Sequence, residues 1–287
     1  MPNELNSILV DVKTKIDQQI EARLQSAKND LIEGLYKSAL YSATGGKRIR
    51  AVFVFLVGRL LKVDAAKLLS TATAVELVHA ASLIMGDLPY MDDSQLRRGK
   101  PANHVVFGQD VALLASIGLL SEAIQTLQED AALDETEKNR ITKELACSFG
   151  LNGLAAGQFI DLKLKPGPND FNIVEFVNEK KTAALFMAGA KMAGHLGGAS
   201  EKELEALNDY ARDIGFTFSF VDDLLESRQY AENKQKLPPK NLVLLFGEEN
   251  VRNYLNEYRK KAEDALAVFG DKAGELIAFN AHLINRL

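Results

Sequence analysis

Asp87, Asp92 and Asp93, in the run Gly86-Asp87-Leu88-Pro89-Tyr90-Met91-Asp92-Asp93, and Asp222, Asp223 and Glu226, in Asp222-Asp223-Leu224-Leu225-Glu226, form two acidic clusters far apart in the chain. Each ends an apolar run, and the first is followed at once by the basic stretch Leu96-Arg97-Arg98-Gly99-Lys100-Pro101. Carboxylates that share one cavity repel unless a divalent cation joins them. Hard oxygen ligands beside arginine forks suit Mg²⁺ holding a diphosphate. The residue types therefore point to metal-assisted chemistry on a diphosphate.

On a helix, Asp222 and Glu226 share a face and can reach one cation or its waters, although a solvated acidic face shows the same spacing. The apolar run Ile214 to Val221 places the cluster near buried surface, where acids need partners. Asp87 sits inside Leu83-Ile84-Met85-Gly86-Asp87-Leu88, and Pro89 ends that helix, so Asp92 and Asp93 fold back past its C-terminal end. Acids at a negative helix end call for a cation; an acidic loop capping a turn is the plainer alternative. Arg97 and Arg98 offer forks to phosphate oxygens, or ordinary surface pairing with Asp92 and Asp93. Gly45-Gly46-Lys47-Arg48-Ile49-Arg50 is a glycine turn opening a helix, with Lys47 and Arg50 on one side. Such N-termini bind anions, though a basic first turn is often only solvated. His79, taken alone, reads as a satisfied core or boundary histidine.

The elements that must position these residues are helical almost throughout. Residues 51–57, 68–83, 111–127 and 141–159 are rich in Ala and Leu with apolar residues on most faces, as in buried helices of a large bundle. Helix stops fall at Gly45-Gly46, Pro89, Gly99 with Pro101, Pro166-Gly167-Pro168, Gly197-Gly198, Pro238-Pro239 and Gly270. Ten or so helices with short connections predict an all-α bundle, and strands have little support. The 287 residues show an even texture without linkers, which predicts a single domain over 1–287. With 47% hydrophobic and 25% charged residues and a net charge of -5, the chain has no general attraction for nucleic acid. An anionic ligand then needs a local basic pocket. The lone Cys147 excludes an intrachain disulfide, and the N-terminal residues lack the pattern of a secretory signal, so a cytoplasmic location is expected. Apolar runs such as Val111 to Leu120 read as too short and interrupted to span a bilayer.

Taken in order, the motifs match a family. They are Gly45 to Arg50, His79, Asp87 to Asp93 with Leu96 to His104, Phe107-Gly108-Gln109-Asp110, Gly157-Gln158 with Asp161-Leu162, Lys181-Thr182 with Ala184-Leu185, and Asp222-Asp223. The chain resembles the trans-isoprenyl diphosphate synthases, the farnesyl and geranylgeranyl diphosphate synthase group, from about residue 40 to Arg286. The resemblance implies an all-α isoprenoid synthase fold around a deep central cavity. It implies a homodimer, or a heterodimer with another synthase, that condenses an allylic diphosphate with isopentenyl diphosphate. It also implies up to three Mg²⁺ ions on the allylic diphosphate. Gly46, Lys47, Arg50, His79 and Arg98 would hold isopentenyl diphosphate; Arg97 and Lys181 would hold the allylic substrate, with Gln158 and Thr182 also substrate-binding. Asp87, Asp92, Asp93, Asp222, Asp223 and Glu226 are the candidate metal ligands, and Asp87, Asp92, Lys181 and Asp222 the candidate catalytic residues.

Departures from the family pattern gather on the metal side. Met85-Gly86-Asp87 stands where the first motif opens with His and two aspartates, and Ser219, Glu226 and Ile117 replace the usual Gln, Asp and Asp. The Lys- and Gly-rich segment after the second motif is shortened to Ser227 through Pro239, leaving Lys234, Lys236 or Lys240 as substitutes. Three readings follow: a working prenyltransferase with a weakened metal site, a diphosphate-binding or regulatory subunit of a heteromeric synthase, or a different Mg²⁺-dependent carbocation reaction. The small residues Ala81 and Ser82 leave the cavity open to products of farnesyl and on to geranylgeranyl length, with Leu77 or Val78 as its floor.

Overall fold

The computed structural model describes residues 2–26, 29–163, 171–233 and 236–287. Among them are fourteen α-helices. In chain order they are α1 (Pro2–Ser26), α2 (Glu33–Ala43), α3 (Ile49–Leu60), α4 (Ala65–Gly86), α5 (Asn103–Phe107), α6 (Gln109–Gln128) and α7 (Glu135–Phe149). Then follow α8 (Leu154–Lys163), α9 (Phe171–Val177), α10 (Ala184–Leu196), α11 (Glu201–Glu232), α12 (Leu242–Phe246), α13 (Glu248–Ala265) and α14 (Gly274–Ile284). A π-helical turn, Asn178–Ala183, joins α9 to α10. The strands are two residues each, β1 (Leu96–Arg97) paired antiparallel with β2 (Lys100–Pro101). The all-α class expected from the apolar spacing is what forms.

Local chemistry starts and stops the helices where it should. Asp64 accepts the Ala66 amide at the head of α4, and capping boxes, Asp134 with Glu137 and Ser200 with Glu203, open α7 and α11. The apolar run 141–159 is not one helix: α7 ends at Phe149 and α8 begins at Leu154, across a turn held by Gly153 N–H to Gly150 C=O at 3.0 Å. Pro166-Gly167-Pro168 lies outside the described residues.

Residues Ile49 to Gly58 of α3 are buried without a break, and Phe53 meets Phe186, Tyr210 and Phe279 at ring distances of 5.3, 5.9 and 5.9 Å. A second apolar group, Phe216, Phe220, Val221 and Leu224 of α11 against Leu242, Val251, Leu255 and Tyr258, grips the other face of α11. Fully burying a Phe or Leu side chain stabilises by roughly 1.5–3 kcal/mol, so this packing fixes which way Asp222 and Asp223 point. At 22 and 20 residues, α4 and α6 are long and apolar enough to cross a membrane by length and composition, a test that core helices also pass, and most of α4 is buried inside the bundle. They pack against each other.

Candidate active site

Residues of α3, α4, α8, α10 and α11 enclose a cavity of about 1010 Å³. Its apolar wall includes Val78, Ser82, Leu83 and Met85 of α4, Leu120 of α6, Phe149 of α7, Leu154 and Phe159 of α8, Leu185 of α10 and Phe218 of α11. Ser82 and Val78 belong to that wall, whereas Ala81 and Leu77 are fully buried elsewhere on α4. Adjacent residues of a helix point in different directions, so only one of each pair faces the hole.

Lys47 and Arg50 line the cavity, and the buried Arg50 guanidinium lies over the rings of Phe186 and Phe218 at 4.9 and 5.7 Å. Arg50 Nη1 is 3.4 Å from His79 Nε2, and Nη2 donates to the Thr182 carbonyl at 3.5 Å. Burial, and then Arg50, Arg98, Arg97 and Arg48, drive the His79 pKa well below its ordinary value, so His79 is neutral near pH 7. Arg50 Nε is buried without a partner among the described residues; an incoming anion is the group that would satisfy it. Arg98 comes from the β1–β2 turn, where Arg98 and Gly99 have φ of 55° and 75°, as a type I′ hairpin requires. Gly46 does not line the cavity. A Cβ there would lie 3.1 Å from Arg98 Nη2 and 3.2 Å from Nη1, so glycine lets the guanidinium close over the turn.

The acidic side differs from expectation. Asp87 caps α4 and is 2% exposed, but its carboxylate turns to Arg97, which donates from Nε to both oxygens at 3.1 Å and from Nη2 to Oδ1. Asp87 does not line the cavity itself; a buried carboxylate needs a partner, and the Arg97 fork supplies it. Arg97 lines the cavity with that part of its fork committed. Asp93 is exposed, with φ of 48°, and accepts from Gln95 at 3.2 Å outside the wall. Asp92 does face the cavity: its amide folds back to the Gly86 carbonyl at 2.9 Å, one of the free carbonyls at the end of α4. It accepts from Gln158 Nε2 at 3.2 Å and Lys181 Nζ at 3.4 Å.

Lys181 rides on the π-helical turn, a feature that recurs at functional sites. Gly157 lets this turn approach α8, since a Cβ there would lie 2.7 Å from the Lys181 amide nitrogen. Asp161, 7% exposed, takes Lys181 Nζ at 2.7 Å and Lys240 Nζ at 3.1 Å, so one carboxylate draws two lysines together. Lys236 is exposed, and Lys234 lies outside the described residues.

Across the cavity, Asp222 and Asp223 line the wall beside Ser219, while Glu226, one turn on, accepts from Asn241 at 2.9 Å outside it. Of the second acidic cluster, Asp222 and Asp223 reach the cavity wall, and Glu226 braces the loop before α12. Burial, opposed by the Leu242 amide and reinforced by Glu226 and Asp222, pushes the Asp223 carboxyl up to about 7. A divalent cation beside it would favour the ionised form. Among the described residues no three His, Cys, Asp or Glu side chains converge as a ready-made metal site. The donor set instead fits Mg²⁺ held by one or two carboxylates together with substrate phosphates, the usual arrangement for that ion.

Cations and carboxylates line one largely apolar cavity. The polyprenyl synthetase family model matches residues 32–237. The chain belongs to the polyprenyl synthetase family. It is 38% identical over 252 residues to the putative geranylgeranyl pyrophosphate synthase 8, chloroplastic, of Arabidopsis thaliana, spanning 83% of this chain and 70% of that one. It is 36% identical over 267 residues to the heterodimeric geranylgeranyl pyrophosphate synthase large subunit 1, chloroplastic, of the same plant, spanning 88% and 72%. Among solved structures, an FPP/GFPP synthase from Zymomonas mobilis superposes with a TM-score of 0.88 at 29% identity, covering 99% of this chain and all 100% of that one. A geranyltransferase from Legionella pneumophila gives 0.87 at 30%, covering 99% and 97%.

The polyprenyl synthetase pocket of this chain includes residues that the motif reading passed over. Arg286, near the C-terminus, donates to Asp222 Oδ1 at 2.7 Å and lies over Phe218 at 5.3 Å. Arg48 and Glu76 also line the cavity, and Asp161 organises the lysines. Asp161 stood inside a recognised motif and could have been singled out; no spacing connects residue 286 to residue 222.

Proposed function

We propose that this chain is a short-chain trans-prenyltransferase that joins an allylic diphosphate to isopentenyl diphosphate, in one polyprenyl synthetase domain spanning residues 1–287. One observation carries the reading: a cavity of about 1010 Å³, at the upper end of small-molecule sites, is lined by the cations Lys47, Arg50, Arg98 and Lys181 together with the carboxylates Asp92, Asp222 and Asp223. Lys47, Arg50 and Arg98 would take isopentenyl diphosphate, with neutral His79 adding a hydrogen bond. Lys181, Gln158 and Thr182 would orient the allylic diphosphate, joined by Lys240, which shares Asp161 with Lys181. Asp222, Asp223 and Asp92 are the residues that would hold Mg²⁺; when bound, it neutralises the departing diphosphate. The apolar wall keeps water from the electron-poor allylic carbon, and Ser82 leaves room for farnesyl to geranylgeranyl products. A row of exposed apolar residues on α5 and α6, Val105, Val106, Leu113, Leu114 and Ile117, supports a homodimer through that face.

A second reading has its own observation. With Gly86 in place of a carboxylate and Asp87 bound to Arg97, the α4 side offers only Asp92. That favours a chain which binds isopentenyl diphosphate but ionises allylic substrates weakly, and which assists a complete synthase. One assay separates them: purified protein with Mg²⁺, isopentenyl diphosphate and dimethylallyl, geranyl or farnesyl diphosphate in turn, with products identified by mass. Elongated prenyl diphosphates support the first reading. Silence alone, with stimulation of an added complete synthase, supports the second, and diphosphate release without elongation points to a different carbocation reaction.

A further inference from the structure

Beneath the basic turn lies a pair of carboxylates that the substrate assignments leave unused. Arg48, between Lys47 and Arg50, has φ of 57°, a left-handed conformation that disfavours residues with a side chain, and its guanidinium is 1% exposed. Three acceptors hold it there. Asp17 of α1 takes Nε at 2.8 Å and Nη2 at 2.6 Å, Glu76 of α4 takes Nη1 at 3.2 Å, and the Ala43 carbonyl takes Nη2 at 2.6 Å. Glu76, 2% exposed, also accepts the Ala51 amide at 3.1 Å in the first turn of α3.

This network touches the cradle directly. A Cβ on Gly46 would meet Arg98 Nη2 and Nη1 at 3.1 and 3.2 Å and Arg48 Nη1 at 3.3 Å, so two guanidinium groups pack on one glycine. Like charges at that spacing repel, and Asp17 and Glu76 are the counter-charges that keep them in place. We propose that Asp17 is a positioning residue of the isopentenyl diphosphate cradle: through Arg48 it sets the glycine turn and the stance of Arg98. Helix α1, outside residues 32–237 matched by the family model, is then part of the binding machinery. The claim rests on the prenyltransferase reading, which assigns Lys47, Arg50 and Arg98 to that diphosphate.

Two effects of removing Asp17 have opposite sign, and this makes the claim testable. Deleting a carboxylate near a cationic pocket raises the local positive potential and by itself tightens an anion. Losing the anchor frees Arg48 and Arg98 to drift and loosens it. Asp17 does not line the cavity, and it engages two donors of a buried guanidinium, so loosening wins.

The test is calorimetric titration of isopentenyl diphosphate, in EDTA, into the full chain and its variants. Asp17→Asn weakens binding about tenfold, the scale of one lost charge-assisted hydrogen bond. Asp17→Glu recovers most of it. Lys13→Met, which removes the other partner of Asp17, leaves affinity unchanged. In turnover, KM for isopentenyl diphosphate rises by the same factor, while kcat and KM for the allylic substrate stay within about twofold. Asp17→Asn that binds as tightly as wild type, or more tightly, overturns the proposal. If Asp17→Asn does not fold, Arg48→Lys serves: it keeps the charge but not the fork, and unchanged affinity there also overturns it. Wild type that fails to bind isopentenyl diphosphate sinks the prenyltransferase reading and this inference with it. Wild-type binding with indifferent variants sinks the inference alone.

Discussion

Gly86→Asp probes the metal side of the cavity most directly. Gly86 is the last residue of α4 and lines the cavity, and a Cβ built on it meets only Asp92 Oδ2, at 3.7 Å. A carboxylate at 86 therefore fits without moving a neighbour and faces Asp92. Two unit charges about 4 Å apart repel by roughly 4 kcal/mol at the effective dielectric of a protein surface. The negative end of α4 adds about 0.5 kcal/mol, and replacing glycine in a helix recovers a few tenths. Because either carboxyl escapes part of this by taking up a proton, the net loss in EDTA is about 2 kcal/mol, or a melting point lower by roughly 5 °C. A cation between the two carboxylates reverses the sign: at a hundred times its Kd it restores about 2.7 kcal/mol. Thermal melts in EDTA and in Mg²⁺, with Mn²⁺ binding followed by electron paramagnetic resonance, measure both effects. The variant should bind Mn²⁺ about 10- to 100-fold more tightly than wild type and turn over faster. A melting point equal to wild type in EDTA and unmoved by Mg²⁺ would refute the placement of residue 86 against Asp92, and an unchanged rate would refute the idea that the site lacks one ligand.

Three other outcomes follow from the same geometry. The Asp223 carboxyl is held up at about 7 by burial, against about 3.9 in an unfolded chain, so it lowers stability progressively as pH rises between those values. Asp223→Asn should flatten that part of the stability curve, by about 1–2 kcal/mol after allowing for partial exposure; urea melts at pH 5 and pH 8 that keep the wild-type difference would refute it. Arg97→Met leaves the 3% exposed Asp87 side chain as an unpaired buried charge and should cost about 3–5 kcal/mol in urea denaturation, most of it regained by adding Asp87→Asn. If the double variant is no more stable than the single, the pair is not what Arg97 supports. Ser82→Phe should fill the cavity and shorten the longest product seen by mass spectrometry, whereas Ala81→Phe, in a position with 0% exposure, should overpack the core by about 1–3 kcal/mol. An unchanged product from Ser82→Phe would remove Ser82 from the wall.

Much of the molecule is legible from residue order. Burial of apolar residues at helical spacing, with acids and hydroxyls at N-caps and glycines at turns, is local physics, so the helices of 51–57, 68–83 and 111–127 read correctly. The break inside 141–159 did not, because Gly150 and Gly153 lie in a composition that suits a buried helix equally well, whereas α7 packs chiefly on α10 and α8 on the π-helical turn. Motif order also picked out residues that meet in space: Lys47, Arg50, His79, Arg98, Gln158, Lys181, Asp92 and Asp222 line one cavity.

Sequence alone determined the helical class, the family and many of the residues that line the pocket, since these depend on residue type and short-range spacing. Direction was left to the tertiary structure. Asp87 and Asp92 are both acids of one motif, yet the Arg97 fork takes the first and the turn back to Gly86 offers the second to the cavity. Asp223 rather than Glu226 stands beside Asp222 because the apolar face of α11, gripped by α12 and α13, sets the rotation of the helix. Asp17, Asp161 and Arg286 reach the pocket from α1, α8 and the C-terminal end, through contacts between segments distant in sequence. A side chain's type is a property of the chain, whereas the partner it meets is a property of how helices pack.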